Sequence, residues 1–260
     1  MSFMDEIRKI PPVTRFLCAS SLAVTLPVLL QILPIYKVVF VKEFVTQKFE
    51  IWRVFTSFFL GSSGINFIFD LAMLYRNSNE LEETHFPRRS SDYAWQLSLA
   101  GLAILGLNIP LGTFVHTRAL LLALTYVSSR LAPPGSQTSF FGLITFPVIY
   151  LPYMLVGMDL LMGGPGAAAI SISGAVVGHL WWWTVFDTGS LRAAGTAPAW
   201  LRGWFGESAS GGATGGVGGV ANVGGGVHVV PPRRVREQAA TAAASGVGGY
   251  NWGSGRRLGE

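Results

Sequence analysis

At 260 residues, half of them apolar and only 13% charged, the chain carries about half the charged share of a soluble domain. A mean hydropathy of +0.44, with charges that cluster and leave long stretches almost uncharged, is the pattern of a membrane protein with several helical spans. The net charge of +5 is not a nucleic-acid signature, because no basic patch interleaves with aromatics on a folded domain; Lys- and Arg-rich cytosolic loops account for it.

The first charge-free window is Phe16 to Tyr36, enough for one crossing. It is long for a cleavable signal peptide, contains Pro27 and Pro34, and lacks a small-residue cleavage site before Lys37, so it reads as a retained helix. Cys18, the single cysteine, excludes an intramolecular disulfide and reads as a packing residue. The second span is expected from Phe55 to about Leu74. The third is expected from Tyr93 to Leu107 and the fourth around Arg118 to Ser129, both short and tilted or shielded by neighbours. Gly142 to Leu161 reads as the fifth span, bent by Pro147 and Pro152, and Pro165 to Phe186 as the sixth. Of the 19 Lys and Arg residues, fourteen fall on the side shared by the two termini and five on the other, which places both termini in the cytosol.

Polar residues inside these spans carry most of the functional information. Thr56, Ser57, Ser62, Ser63 and Asn66 make the start of the second span too hydrophilic for lipid contact, so that half faces protein or water, or the bilayer thins beside it. The expectation is an open lateral cavity bordered by the second and fifth spans. Asp70 and Asp159 lie within spans and mark a polar, water-accessible cavity or, for Asp70, the headgroup region near Arg76. Gly174 and Gly178 form a Gly-x-x-x-Gly pair that lets another helix backbone approach closely. His179 follows it and reads first as a hydrogen-bonding group across that interface, with a functional role as the alternative. Trp181, Trp182 and Trp183 sit toward the cytosolic boundary.

After Phe186 the composition changes. Residues 206 to 226 are largely glycine with Ala, Ser and Val, unable to bury enough apolar surface to offset their ordering entropy. The chain closes on "NWGSGRRLG", in which Trp252 and Leu258 fall on one side of an extended strand. Gly253, Gly255 and Gly259 allow close approach to a partner there, and Arg256 and Arg257 suit an acidic rim. An exposed Trp at the end of a linker points to a binding motif. With about 64 linker residues before it, its mean reach is roughly 45 Å.

The stretch "EIWRVFTSFFLGSSGINFIFDLAMLYRNSNELEETHF" (residues 50–86) resembles the Derlin family in its Trp52-Arg53 pair, the Thr/Phe/Gly run that follows and the "LYR…LEE..F" segment. The opening "PPVTRFL" and the Gly174-x-x-x-Gly178-His179 pattern also resemble it, over roughly residues 1 to 187 and the last ten. The resemblance implies a rhomboid-like bundle of six transmembrane helices, with a large first loop in the lumenal leaflet. Residues 37 to 54, which mix Val, Phe and Ile with Lys and Glu, suit such an interfacial loop. Trp52 would seat it in the interface, and Arg53 would reach phosphates or loop carbonyls.

The resemblance further implies a role in drawing misfolded proteins out of the endoplasmic reticulum. The closing peptide looks like the box that recruits the valosin-containing AAA+ ATPase, departing from its relatives at Arg256. Proteolytic rhomboids use a Gly-x-Ser-x nucleophile in the fourth helix and a histidine three residues before the Gly-x-x-x-Gly pair. Ser128 and Ser129 lack glycine neighbours, Ser171 occupies the histidine's place and His179 follows the pair, so the expected protein is not an enzyme.

Together these readings give an all-α membrane protein with a six-helix rhomboid-like domain over residues 1–190, a disordered cytosolic linker over 191–249 and the ATPase-binding box over 250–260. It is expected to act as a non-catalytic retrotranslocation factor of the endoplasmic-reticulum membrane, with a membrane-protein chaperone without a translocation path, or an intramembrane serine protease, as the alternatives. No cofactor or metal is expected and no nucleic acid. The expected partners are the ATPase, a ubiquitin ligase complex, misfolded substrates, membrane lipid, and other copies of this chain or of relatives.

Overall fold

The protein is described by a computed structural model covering residues 9–140 and 144–207. Helix α1 (Pro12–Leu29) is followed by a short α2 (Lys42–Gln47), α3 (Trp52–Phe59), α4 (Ile65–Thr84), α5 (Ser90–Asn108) and α6 (Thr117–Leu131). An antiparallel hairpin, β1 (Gln137–Phe140) and β2 (Ile144–Pro147), pairs Gln137 with Pro147 and Phe140 with Ile144. Helix α7 (Leu151–Trp181) continues as a wider π-helical segment over Trp182–Asp187, and α8 (Ala199–Trp204) comes last. Pro12–Leu29 and Val148–Asp187 are long and apolar enough to cross a membrane.

Helix α7 is two helices in one run. Asp159 and Ser171 are hydrogen-bonded, yet a straight helix would separate residues twelve apart by about 18 Å. The chain therefore reverses at Gly164, whose φ of 73° no ordinary side chain adopts readily and which Pro165 follows. Its arms, 151–163 and 165–181, pack on α6, the central helix, whose residues Ala119 to Ser129 are all buried. This placement explains how α6 can be short and polar at its ends, and how α4 can carry Asp70, Glu80 and Glu82. Their polar atoms are met by other helices instead of lipid.

Four expectations need correction. The first span ends early, at Leu29, where Gln31 turns the chain with a φ of 58°. The second span, expected unbroken from Phe55 to Leu74, is α3 and α4 separated by residues 60–64. The glycines of Gly61-Ser62-Ser63-Gly64 support a turn, with Gly64 at a φ of 67°. Polar side chains satisfy the backbone there: Thr25 Oγ1 donates to Phe59 O at 2.9 Å and accepts from Gly61 N at 2.8 Å, and Thr117 Oγ1 donates to Leu60 O at 2.7 Å. The helix expected as the fifth span starts at Leu151, not Gly142. Pro147 ends β2 and Pro152 sits in the first turn of α7, where a missing N–H costs nothing, so neither bends a helix. Finally, the segment after residue 190 does not begin as a linker. Leu201 and Ala197 are buried, and residues 194–207 hydrogen-bond along the start of α5. Residues beyond 207, with the closing peptide, lie outside those described.

A carboxylate holds α4 to the start of α1. Glu82 accepts from Val13 N at 3.1 Å, Thr14 N at 2.8 Å and Thr14 Oγ1 at 2.8 Å, while Ser78 bridges Thr14 and Tyr93. Pro11 supplies no side-chain cap, so Glu82 satisfies the orphan N–H groups of α1 from another helix and sits favourably at the positive end of its dipole. Glu82→Ala leaves both N–H groups buried and unpaired. It should destabilise the protein by about 2–3 kcal/mol, seen as a lower melting midpoint in detergent; Glu82→Gln, which keeps an acceptor, should lie between. An unchanged midpoint in Glu82→Ala would remove this cap from the account.

Candidate functional site

A cavity of roughly 580 Å³ opens between α4 and the first arm of α7. Its walls are mainly apolar, with Phe69 and Met73 from α4 and Leu155, Met158 and Met162 from α7. Its base is ionic. Arg118, in the first turn of α6, donates from Nη1 to Asp70 Oδ1 at 2.7 Å, from Nε to both oxygens of Asp159 at 2.9 and 3.0 Å, and from Nη2 to Asp159 Oδ1 at 2.6 Å. The fork-on-fork pairing with Asp159 is the strongest geometry open to a guanidinium. Ser62 Oγ donates to the second oxygen of Asp70 at 2.6 Å, and Ser171 Oγ donates to Asp159. Two carboxylates thus share one guanidinium, with hydroxyls completing the shell. Both carboxylates were legible as marks of a polar cavity. Arg118 was not, because it read as the edge of the fourth span.

The polar residues expected at the start of the second span separate into two groups. Thr56 Oγ1 donates to Val38 O at 2.7 Å, and Ser57 Oγ donates to Val54 O at 2.9 Å and meets His116 Nδ1 at 3.1 Å. Both belong to the packing of α3 against the first loop and α6. Ser62 and Asn66 line the cavity, and Ser63 is exposed in the turn beside it.

The Trp52-Arg53 pair divides its work. Arg53 is 4% exposed; its Nη1 donates to Tyr36 O at 2.6 Å and Val39 O at 3.0 Å, its Nε pairs with Glu50, and its guanidinium lies over the Phe44 ring. It gathers the first loop around carbonyls. Trp52 points outward, 57% exposed.

Gly174 and Gly178 face α6. A Cβ at Gly174 would lie 2.2 Å from Ala119 O, and one at Gly178 would lie 2.8 Å from Ala123 O, so the two backbones touch. His179 Nδ1 meets Tyr126 OH at 2.9 Å, and Arg130 donates to the same oxygen at 3.1 Å. Ser128 Oγ donates to Glu80 at 2.9 Å and Ser129 Oγ to Tyr126 O at 2.8 Å. Among the described residues, no serine of α6 is hydrogen-bonded to a histidine. The expected box residues Trp252, Gly253, Gly255, Arg256, Arg257, Leu258 and Gly259 lie outside the described region.

The Der1-like family matches residues 10–196 of the chain. The chain is similar to Derlin-1.2 of Zea mays, at 32% identity over 183 residues covering 69% of this chain and 74% of that protein. Derlin-1 of Mus musculus and Derlin-1 of Homo sapiens are each 29% identical to it over 265 aligned residues, covering 98% of both chains.

Proposed function

The chain belongs to the Der1-like family, and on that footing we propose that it is a non-catalytic retrotranslocation factor of the endoplasmic-reticulum membrane. In this reading six helical spans form a rhomboid-like domain with both termini in the cytosol. Misfolded proteins enter from the lumen or the bilayer. The closing peptide, Trp252 to Gly259, brings the valosin-containing AAA+ ATPase to pull them, alongside a ubiquitin ligase complex.

The observation that carries the proposal is the cavity between α4 and the first arm of α7. It combines methionine-lined, adaptable walls with a polar base, so it suits both the apolar and the polar stretches of an unfolded chain. Local bilayer thinning beside this opening rests on Ser63 and Asn66, since Thr56, Ser57 and Ser62 are satisfied by protein. Ser128 is bonded to Glu80 and His179 to Tyr126, so serine and histidine are engaged by different partners, which supports a protein without a serine–histidine nucleophile pair.

Photo-crosslinkers at Met73 and Met158, in the full chain reconstituted with the ATPase, test the proposal. A lumenal misfolded client should crosslink at both positions while the ATPase works, and crosslinking should stop when residues 250–260 are removed. Crosslinks from membrane-embedded clients alone would favour the chaperone reading, and no crosslink at either position would remove the cavity from the path.

A further inference from the structure

The chain doubles back after its last long helix. Trp181 Nε1 donates to Gln96 Oε1 at 2.9 Å, and Gln96 Nε2 donates to Gly195 O at 3.0 Å. One side chain on α5 therefore marks the same depth for Trp181 and for Gly195, although the chain has run on through Trp182–Asp187 in between. Trp95 Nε1 holds the neighbouring carbonyl of Ala194 at 2.9 Å.

From this returned level the segment descends along the first turn of α5. Ala197 N donates to Asp92 Oδ1 at 2.7 Å, Arg202 lies 3.7 Å from the same oxygen, and Glu207 accepts from Ser91 N at 3.0 Å and from Ser91 Oγ. Helix α8 is fixed between these anchors. Leu201 and Phe205 turn inward, Leu201 buried to 8% and Phe205 packed against the core. Trp200 and Trp204, four residues apart on another face, are 67% and 86% exposed.

Two indoles held outward on an anchored backbone, level with the start of an apolar helix, match the position where tryptophan is favoured at a membrane boundary. The ring is apolar, and its N–H needs a polar partner. We propose that α8 is an interfacial foot whose Trp200 and Trp204 seat in the lipid headgroup layer at the α5 end of the bundle. The bilayer is favoured over a protein partner by depth: α8 is anchored at Asp92 and Ser91, about one helical turn from Gln96, which meets Trp181 in the long apolar run of α7, and a surface meant for a soluble partner would stand clear of it.

The test uses the full chain with Cys18→Ala and one introduced cysteine, Trp204→Cys or Ser190→Cys, carrying an environment-sensitive fluorophore in phosphatidylcholine liposomes. Ser190 is the exposed control in the returning loop. At 204 the emission should be blue-shifted, lose most of its intensity to lipids bearing a headgroup or shallow nitroxide, and resist iodide; at 190 iodide should quench instead. Intrinsic fluorescence covers loss of the anchor: Trp200→Phe with Trp204→Phe should remove the share of wild-type emission most quenched by shallow nitroxide lipids. Iodide quenching at 204 equal to that at 190, or protection that grows with protein density and not with lipid, would overturn the proposal; the second result would assign the face to another copy of the chain.

Discussion

Gly174→Leu is expected to be among the most damaging single substitutions in the described region. A bare Cβ there lies 2.2 Å from Ala119 O and 2.7 Å from Ala119 Cα. Those are backbone atoms of the central helix, so no rotamer change relieves the overlap. Helix α6 must move away from the second arm of α7, opening the contacts that close packing of small residues provides. The cost should be at least about 3 kcal/mol, the upper end for overpacking, because the obstacle is main chain. The same displacement pulls His179 from Tyr126, now at 2.9 Å. At Gly178 a Cβ meets Ala123 O and Tyr126 Cβ at 2.8 Å each, so Gly178→Ala should cost less than Gly174→Ala. Thermal melts in detergent give the ranking directly. A Gly174→Leu protein melting with the wild type would show that the two helices do not meet as described.

Much of this interface could be read in advance, because Gly-x-x-x-Gly is a local signal whose meaning depends only on helical periodicity. The reversal at Gly163-Gly164-Pro165 was legible for the same reason, and so a boundary between two spans fell there. What escaped was set by position in space. Residues 60–64 have turn composition, yet the apolar residues on either side drew them into one span. Residues 144–147 mix Phe, Ile and Thr, which an apolar window cannot tell from the start of a membrane helix, and they pair as a strand with residues 137–140. The docking of residues 194–207 depends on Asp92 and Ser91, more than a hundred positions earlier. Arg118 shows the limit most clearly. Its partners lie 48 residues before it and 41 after, and no local pattern reports such distances.

Arg118→Leu should therefore do more harm than its place in the first turn of α6 suggests. In the native protein α4 and the first arm of α7 reach each other through this side chain, which holds Asp70 at 2.7 Å and Asp159 at 2.6 Å. Removing it leaves two carboxylates, each with an 11% exposed side chain, facing each other without a counter-charge. Breaking a buried pair by deleting one partner costs roughly 3–5 kcal/mol. Arg118 is itself 33% exposed, so water recovers part of the loss and about 3 kcal/mol is expected. Arg118→Lys should restore only part of this, since an ammonium cannot span both oxygens of Asp159 and Asp70 at once. The decisive variant combines Arg118→Leu with Asp70→Asn and Asp159→Asn. With no charge left to strand, its melting midpoint should return most of the way toward wild type. Client crosslinking at Met73 and Met158 should stay impaired if the triad spaces the cavity walls, and recover with stability if the triad only holds the fold. A triple variant no more stable than Arg118→Leu alone would show that uncompensated charge is not the source of the loss.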